Sequence, residues 1–234
     1  MNWLIALIEP GYLFLILPAL LLSVWSSLKI RRAYKKYSRV PLESGLTGGL
    51  AARMILDKHG LYGVSVECIS GTLTDHYDPR KKVLRLSENV FSSASVAAVG
   101  VAAHEAGHAI QHAKHYIPMT IRTLIVPVTN LGSTLAFPTA MVGILLSKAE
   151  LVSLGIILFS MMTLFQLITL PVEFNASHRA ICVLQENGYV RNKKELRGVK
   201  KVLTAAALTY VAALLTSLLS LVRFVFWTKI FSRD

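Results

Sequence analysis

Ser95-Val96-Ala97-Ala98-Val99-Gly100-Val101-Ala102-Ala103-His104-Glu105-Ala106-Gly107-His108-Ala109-Ile110-Gln111 is a run of small and β-branched residues that reads as one continuous helix, with two histidines and a glutamate set into it. At roughly 100° per residue, His104 and His108 sit about 40° apart and one turn apart, so both imidazoles reach a single metal ion. Glu105 falls on the flank of that pair, where a carboxylate touches a water on the metal without binding the metal, as a general base requires. H-E-x-x-H is short enough to recur by accident in about one chain per hundred of this length. The surroundings argue against accident, because a plain core helix gains nothing from unpaired buried polar groups, which cost several kcal/mol. The small residues on either side let other backbones pack closely against the motif.

Composition says where such chemistry would take place. The chain has 234 residues, of which 53% are hydrophobic and 16% charged, with a mean hydropathy of +0.53, far more apolar than a soluble domain of this size. Four stretches are long enough to span a bilayer: Trp3 to Leu28, about Ile121 to Leu146, Leu151 to Leu170 and Ala205 to Trp227. Arg122, Pro127, Asn130 and Pro138 interrupt the second, which reads as a kinked span, a re-entrant segment or a span packed against protein. The chain thus divides into an anchor (1–28), a basic juxtamembrane segment with a small α+β region (29–89), the H-E-x-x-H helix (90–116), two apolar spans (121–170), a polar helix with a basic loop (171–203) and a last span (205–227).

Charge asymmetry orients these spans. The basic run from Lys29 to Arg39 follows the first span and nothing basic precedes it, so the positive-inside rule places the amino terminus outside. The second basic cluster, Arg191 to Lys201, falls on the same side if the middle spans form a hairpin around Ser147-Lys148-Ala149-Glu150. The motif helix is then expected at the cytoplasmic face of the membrane. A formal charge of +12 could serve nucleic acid, but the cations cluster beside apolar spans, where attraction to the lipid bilayer explains them, and no nucleic-acid recognition motif appears. The first span lacks a basic n-region and fits a retained anchor better than a cleaved signal. Cys68 and Cys182 form no metal or disulfide pattern, and the sequon at Asn175 lies on the expected cytoplasmic side.

Between the first span and the motif, Thr47 caps a helix expected to run to about His59. Gly63 to Ile69 alternates at period two and reads as a strand followed by a turn at Ser70-Gly71, and Lys82 to Ser87 reads as a second strand. The pair is expected to be either a structural hairpin or an edge to which an extended substrate adds its backbone at Leu84. The glycines at 45, 48 and 49 match no phosphate-binding loop.

A catalytic zinc needs a third protein ligand and an open position. His112 points about 80° away from His104, and His115 lies about 16 Å further along the axis, so neither closes the site while the helix continues. The strongest candidate is Glu173, which abuts the third span just after Pro171, with Ser177 one turn later and His178 and Arg179 beyond it. This is a concentrated polar face on an otherwise apolar helix.

The H-E-A-G-H helix, Leu73-Thr74-Asp75-His76-Tyr77-Asp78-Pro79-Arg80, Thr169-Leu170-Pro171-Val172-Glu173-Phe174-Asn175-Ala176-Ser177 and Ala205 to Ala212 together resemble the YugP-like family of bacterial membrane zinc metallopeptidases, over nearly the whole chain. More distantly they are similar to the heat-shock and prenyl-protein-processing membrane proteases. The resemblance implies a mainly α, integral membrane protein with about four transmembrane helices and a small cytoplasmic α+β zincin-like region, in the bacterial plasma membrane. It implies one zinc ion held by His104, His108 and Glu173, with Glu105 as the base. Ser177 stands where the wider group has an aspartate. A serine hydroxyl still orients a ligand histidine, as a weaker and uncharged partner.

The Asp75 to Pro79 run is either part of the active-site rim, with His76 or Tyr77 donating to an oxyanion, or an Asx-type turn, the reading slightly favoured. His178 and Arg179 are alternative oxyanion donors. The implied reaction is hydrolysis of a peptide or membrane-protein substrate: zinc polarises the scissile carbonyl while Glu105 takes a proton from the attacking water and delivers it to the leaving nitrogen. A catalytically silent metal-binding scaffold and a transporter are the competing classes.

Overall fold

The structure is a computed structural model that describes residues 10–231. Its helices are α1 (Pro10–Tyr37), α2 (Gly48–Lys58), the single turn α3 (Glu88–Phe91), α4 (Val96–Ala113), α5 (Ile117–Leu145), α6 (Ala149–Glu186) and α7 (Lys193–Phe231). Strands β1 (Ser65–Ile69), β2 (His76–Asp78) and β3 (Val83–Ser87) lie between α2 and α3. Among the described residues, three helical stretches are long and apolar enough to cross a membrane: Ile117–Leu145, Ala149–Glu186 and Lys193–Phe226. Part of the expected first span, residues 3–9, lies outside the described residues, and the remainder belongs to α1.

The described residues form two compact units, one comprising residues up to Ser26, Leu124–Leu170 and those from Thr209, the other comprising Ser27–Thr123 and Pro171–Leu208. In the first unit, helices approach through small residues, with Gly155 against Ala136 and Ala140 and Gly143 against Val152. Its outer surface is apolar: Leu124, Leu131, Phe137, Leu164 and Leu167 are all exposed, as they would be to lipid. The second expected span is an unbroken helix that contains both Pro127 and Pro138. Each proline removes one backbone donor, and side-chain hydroxyls in the neighbouring turns bond back to carbonyls: Thr129 to Ile125 at 2.9 Å and Thr134 to Asn130 at 3.0 Å.

The second unit has its core around α4. Ala51, Ile55 and Leu56 of α2, Leu84 and Leu86 of β3, Val90 of α3 and Val172, Ala180 and Leu184 of α6 are buried in one cluster with Val96, Val99, Ala103 and Ile110 of α4. Gly48 permits the closest of these approaches, since a Cβ there would collide with the Val90 carbonyl oxygen. Ser95 starts α4 as its N-cap, accepting a hydrogen bond from the Ala98 N–H at 3.2 Å.

The sheet corrects the hairpin expectation. Its order is β1-β3-β2, with β1 parallel to β3 and β2 antiparallel to it. Parallel neighbours need a long connection, and the stretch from Ser70 to Lys82 provides it while adding β2 to the other side of β3. Leu84 is therefore on the central strand, fully buried and paired on both sides, and it offers no free edge to a substrate. The Asp75–Pro79 run, expected mainly as a turn, contains β2. The Asx turn follows it, with the Asp78 carboxylate accepting from the N–H groups of Arg80 at 3.0 Å and Lys81 at 3.2 Å. Asp75 ties the run back to the end of β3 by accepting from the Ser87 N–H at 2.7 Å.

Candidate metal centre

Glu173 meets the two histidines because α4 and α6 approach closely within the second unit. Gly107 lies inside the H-E-x-x-H string, and a Cβ built there would stand 2.8 Å from the carbonyl oxygen of Ala176. A glycine at this position lets the α6 backbone come near enough for Glu173 to reach across. Gln111 pins the same crossing, donating through Nε2 to the Val172 carbonyl at 2.8 Å and to Asn175 Oδ1 at 3.0 Å.

Across this contact, Glu173 Oε2 lies 3.2 Å from His104 Nε2 and 3.6 Å from His108 Nε2. Ligands about 2.0–2.1 Å from a tetrahedral zinc stand about 3.3 Å from one another, so both separations match the edges of a zinc site. One ligand atom from each of His104, His108 and Glu173 lies within 4.8 Å of the others, a group able to hold a metal ion. The far ring nitrogens are oriented as ligand histidines require. His104 Nδ1 is 3.2 Å from Ser177 Oγ, and His108 Nδ1 is 3.0 Å from Gln111 Oε1. With the Nδ1–H of each ring donating to these oxygens, each Nε2 lone pair is turned toward the shared position. Glu173 and His108 are buried, while the His104 side chain is 13% exposed, so the donor set meets solvent mainly on the His104 side.

Glu105 lies one residue after the first histidine and is 9% exposed. Burial pushes its carboxyl up to about 7; His104 opposes the shift, Glu173 and Asp75 add to it, and His76 opposes it. A carboxylate on the flank of the histidine pair is placed to take a proton and return it. It is not a member of the metal-holding group, which leaves it free for that work.

The four oxyanion candidates fall in different places. His76 is exposed on β2, with Nδ1 2.8 Å from the Thr74 carbonyl, and close enough to Glu105 to act on its charge. The Tyr77 hydroxyl is 2.9 Å from His112 Nδ1, and burial, reinforced by Asp78, raises its ionisation to about 12. Arg179 donates through Nε to Asn175 Oδ1 at 2.7 Å. His178 has its Nε2 3.6 Å from Cys182 Sγ, and it lines, with Arg179, His59 and Ile110, a cavity of about 300 Å³. Contacts with the metal-holding group come instead from Ser177, Gln111 and Arg122. Gln111 carried a sequence signal, since three residues after His108 it shares that histidine's face. Arg122 read only as an interruption of an apolar span; its guanidinium Nη1 lies 3.1 Å from Glu173 Oε1.

Comparison with known proteins agrees with this geometry. The chain is 52% identical over 214 residues to the "Putative membrane protease YugP" of Bacillus subtilis (strain 168), covering 92% of this chain and 95% of that relative. No solved structure matches it. Residues 12–229 match the family described as "Putative neutral zinc metallopeptidase", and with the two histidines, the glutamate and the flanking carboxylate arranged as above, the chain belongs to that family of membrane-associated zinc proteins.

Proposed function

We propose that the protein is a multi-pass membrane endopeptidase that hydrolyses peptide bonds at the cytoplasmic face of the plasma membrane. The observation that carries the reading is the meeting of His104, His108 and Glu173 at tetrahedral-edge distances beside a buried carboxylate that is not part of the set. A scaffold or transporter has no use for Glu105 in that position. The basic ends of α1 and α7, with Lys35 and Lys36 on one and Lys193, Lys194, Arg197, Lys200 and Lys201 on the other, support the cytoplasmic assignment through the positive-inside rule.

The chain's residues divide the work. His104, His108 and Glu173 would hold zinc, which when bound polarises the scissile carbonyl and acidifies water. Ser177 and Gln111 hold the imidazoles in the ligating tautomer. Glu105 accepts the proton of the attacking water and returns it to the leaving amine. An extended chain that adds its backbone to the sheet would do so at β1 or β2, since β3 is paired on both sides. Membrane-associated or misfolded membrane-protein chains fit a site joined to apolar spans.

The deciding experiment compares purified wild type with Glu105→Gln for zinc content and cleavage of casein or peptides. Stoichiometric zinc in both and a rate about 10²- to 10⁴-fold lower in the variant are expected. Equal cleavage by the variant removes Glu105 from the chemistry. Zinc without cleavage in the wild type supports the silent scaffold.

A further inference from the structure

Arg122 is the charged residue that the apolar pattern of α5 does not explain. An ionisable group in a membrane-associated helix is costly, and where one occurs it has a partner and a task. Its partner is Glu173, which is 2% exposed against 26% for the arginine, and the division of the carboxylate between partners is specific. Oε2 faces the two histidine Nε2 atoms at 3.2 and 3.6 Å, while Oε1 is held by Arg122 Nη1 at 3.1 Å. Each oxygen therefore has a different occupation.

The geometry points to Arg122 as a positioning residue that reserves Oε1 and so restricts Glu173 to a single oxygen on the metal. The inference rests on the zinc reading of the site. A carboxylate free on both sides can chelate a divalent ion through two oxygens, which fills an additional coordination position. A catalytic zinc needs three protein ligands and an open fourth place for water. An arginine on Oε1 keeps that place open and also fixes the plane of the carboxylate, because the guanidinium is planar and permanently charged. It draws electron density from Glu173 as well, leaving the ion a stronger Lewis acid than an unpaired glutamate would.

Metal geometry and turnover test different claims here, so the experiment reads geometry first. X-ray absorption of the zinc-loaded wild type and visible spectra of the cobalt(II)-substituted protein report coordination number without substrate. A four-coordinate wild-type site with one carboxylate oxygen is expected. Arg122→Gln should raise the coordination number to five and weaken the cobalt absorption bands, and Arg122→Lys, whose ammonium can still occupy Oε1, should restore the wild-type spectrum. A drop in kcat of about 10- to 100-fold in Arg122→Gln would accompany the change. A wild-type site already chelated by both oxygens overturns the inference, and that measurement needs no variant to fold. So does an unaltered coordination number in Arg122→Gln. If the protein binds zinc and never cleaves a peptide, the proposed function fails while these spectra still decide the role of Arg122.

Discussion

Replacing Gly107 with alanine sets two known effects against each other at the centre of the metal site. Alanine is the better helix former by about 1 kcal/mol, so local propensity alone makes Gly107→Ala stabilising. The new Cβ would stand 2.8 Å from the Ala176 carbonyl oxygen and 3.4 Å from its carbonyl carbon and Cα. Ordinary contact begins near 3.4 Å, leaving the oxygen about 0.6 Å too close. All three atoms are backbone, so no flexible side chain can yield, and relief requires α4 and α6 to separate at this point. Overpacking of this kind costs about 1–3 kcal/mol, which cancels or exceeds the propensity gain. The metal site is more sensitive still. Ala176 lies three residues after Glu173 on the same helix, and metal–ligand distances tolerate only about 0.2 Å. A separation of several tenths of an ångström should weaken zinc by about 10- to 100-fold, the range seen when the partners of ligands are removed. Gly100→Ala is the control on the same helix, because its Cβ would meet Val199 no closer than 3.4 Å, at a side-chain methyl, with the Val199 Cα at 3.8 Å; it should keep zinc affinity and melt at or above wild type. The assay is chelator competition for zinc, with thermal melting of the metal-free protein. Zinc affinity of Gly107→Ala within twofold of wild type, together with a raised melting temperature, would refute the close approach of the two helices.

Removing the orienting partners should act through the metal. Ser177→Ala and Gln111→Ala are each expected to lower zinc affinity about 10- to 100-fold, and Gln111→Ala also to destabilise the metal-free fold by about 1–3 kcal/mol, because it removes two hydrogen bonds across the α4–α6 crossing and leaves the buried His108 Nδ1 without its acceptor; competition titration and melting measure the two effects. Glu173→Ala should lose stoichiometric zinc, read by metal analysis after dialysis. In the metal-free protein, Glu105 carries a folded value near 7 against the ordinary 4.5, so its neutral form is the one the fold accepts. The stability this confers is complete below pH 4.5 and is lost as pH rises toward 7, by roughly 3 kcal/mol at most. Metal-free Glu105→Gln should therefore melt with wild type at pH 4 and above it at pH 8; parallel melting profiles across that window would contradict the buried, unpaired state of the carboxylate.

How much of this site could be read from the chain depends on the range of each interaction. His104, Glu105 and His108 are related by helix periodicity, which is local. Glu173 lies 65 residues beyond His108, yet an acid abutting an apolar span stands out by composition. Period-two alternation identifies strands but not their neighbours, so the sequence suggests a hairpin where the sheet has a parallel crossover. Whether the second strand returns antiparallel or crosses over is settled by the intervening chain, and there the short His76–Asp78 strand was hidden within residues that also favour a turn. Arg122 marks the opposite case: its charge was plain, but its meaning was not, since only the packing of α5 against α6 within the second unit shows the buried carboxylate it faces. A cation that looks like a flaw in an apolar helix is neutralised across 51 residues of sequence by the one oxygen of Glu173 that the histidines do not face. The same pairing explains why both residues can be present: a lone buried Glu173 in α6 would cost several kcal/mol, whereas with Arg122 and two imidazoles it forms a charge-compensated cluster before any metal arrives. Metal binding then adds a cation to a site already holding one, which weakens affinity and increases acidity at the same time, and that compromise suits a catalytic ion better than a structural one.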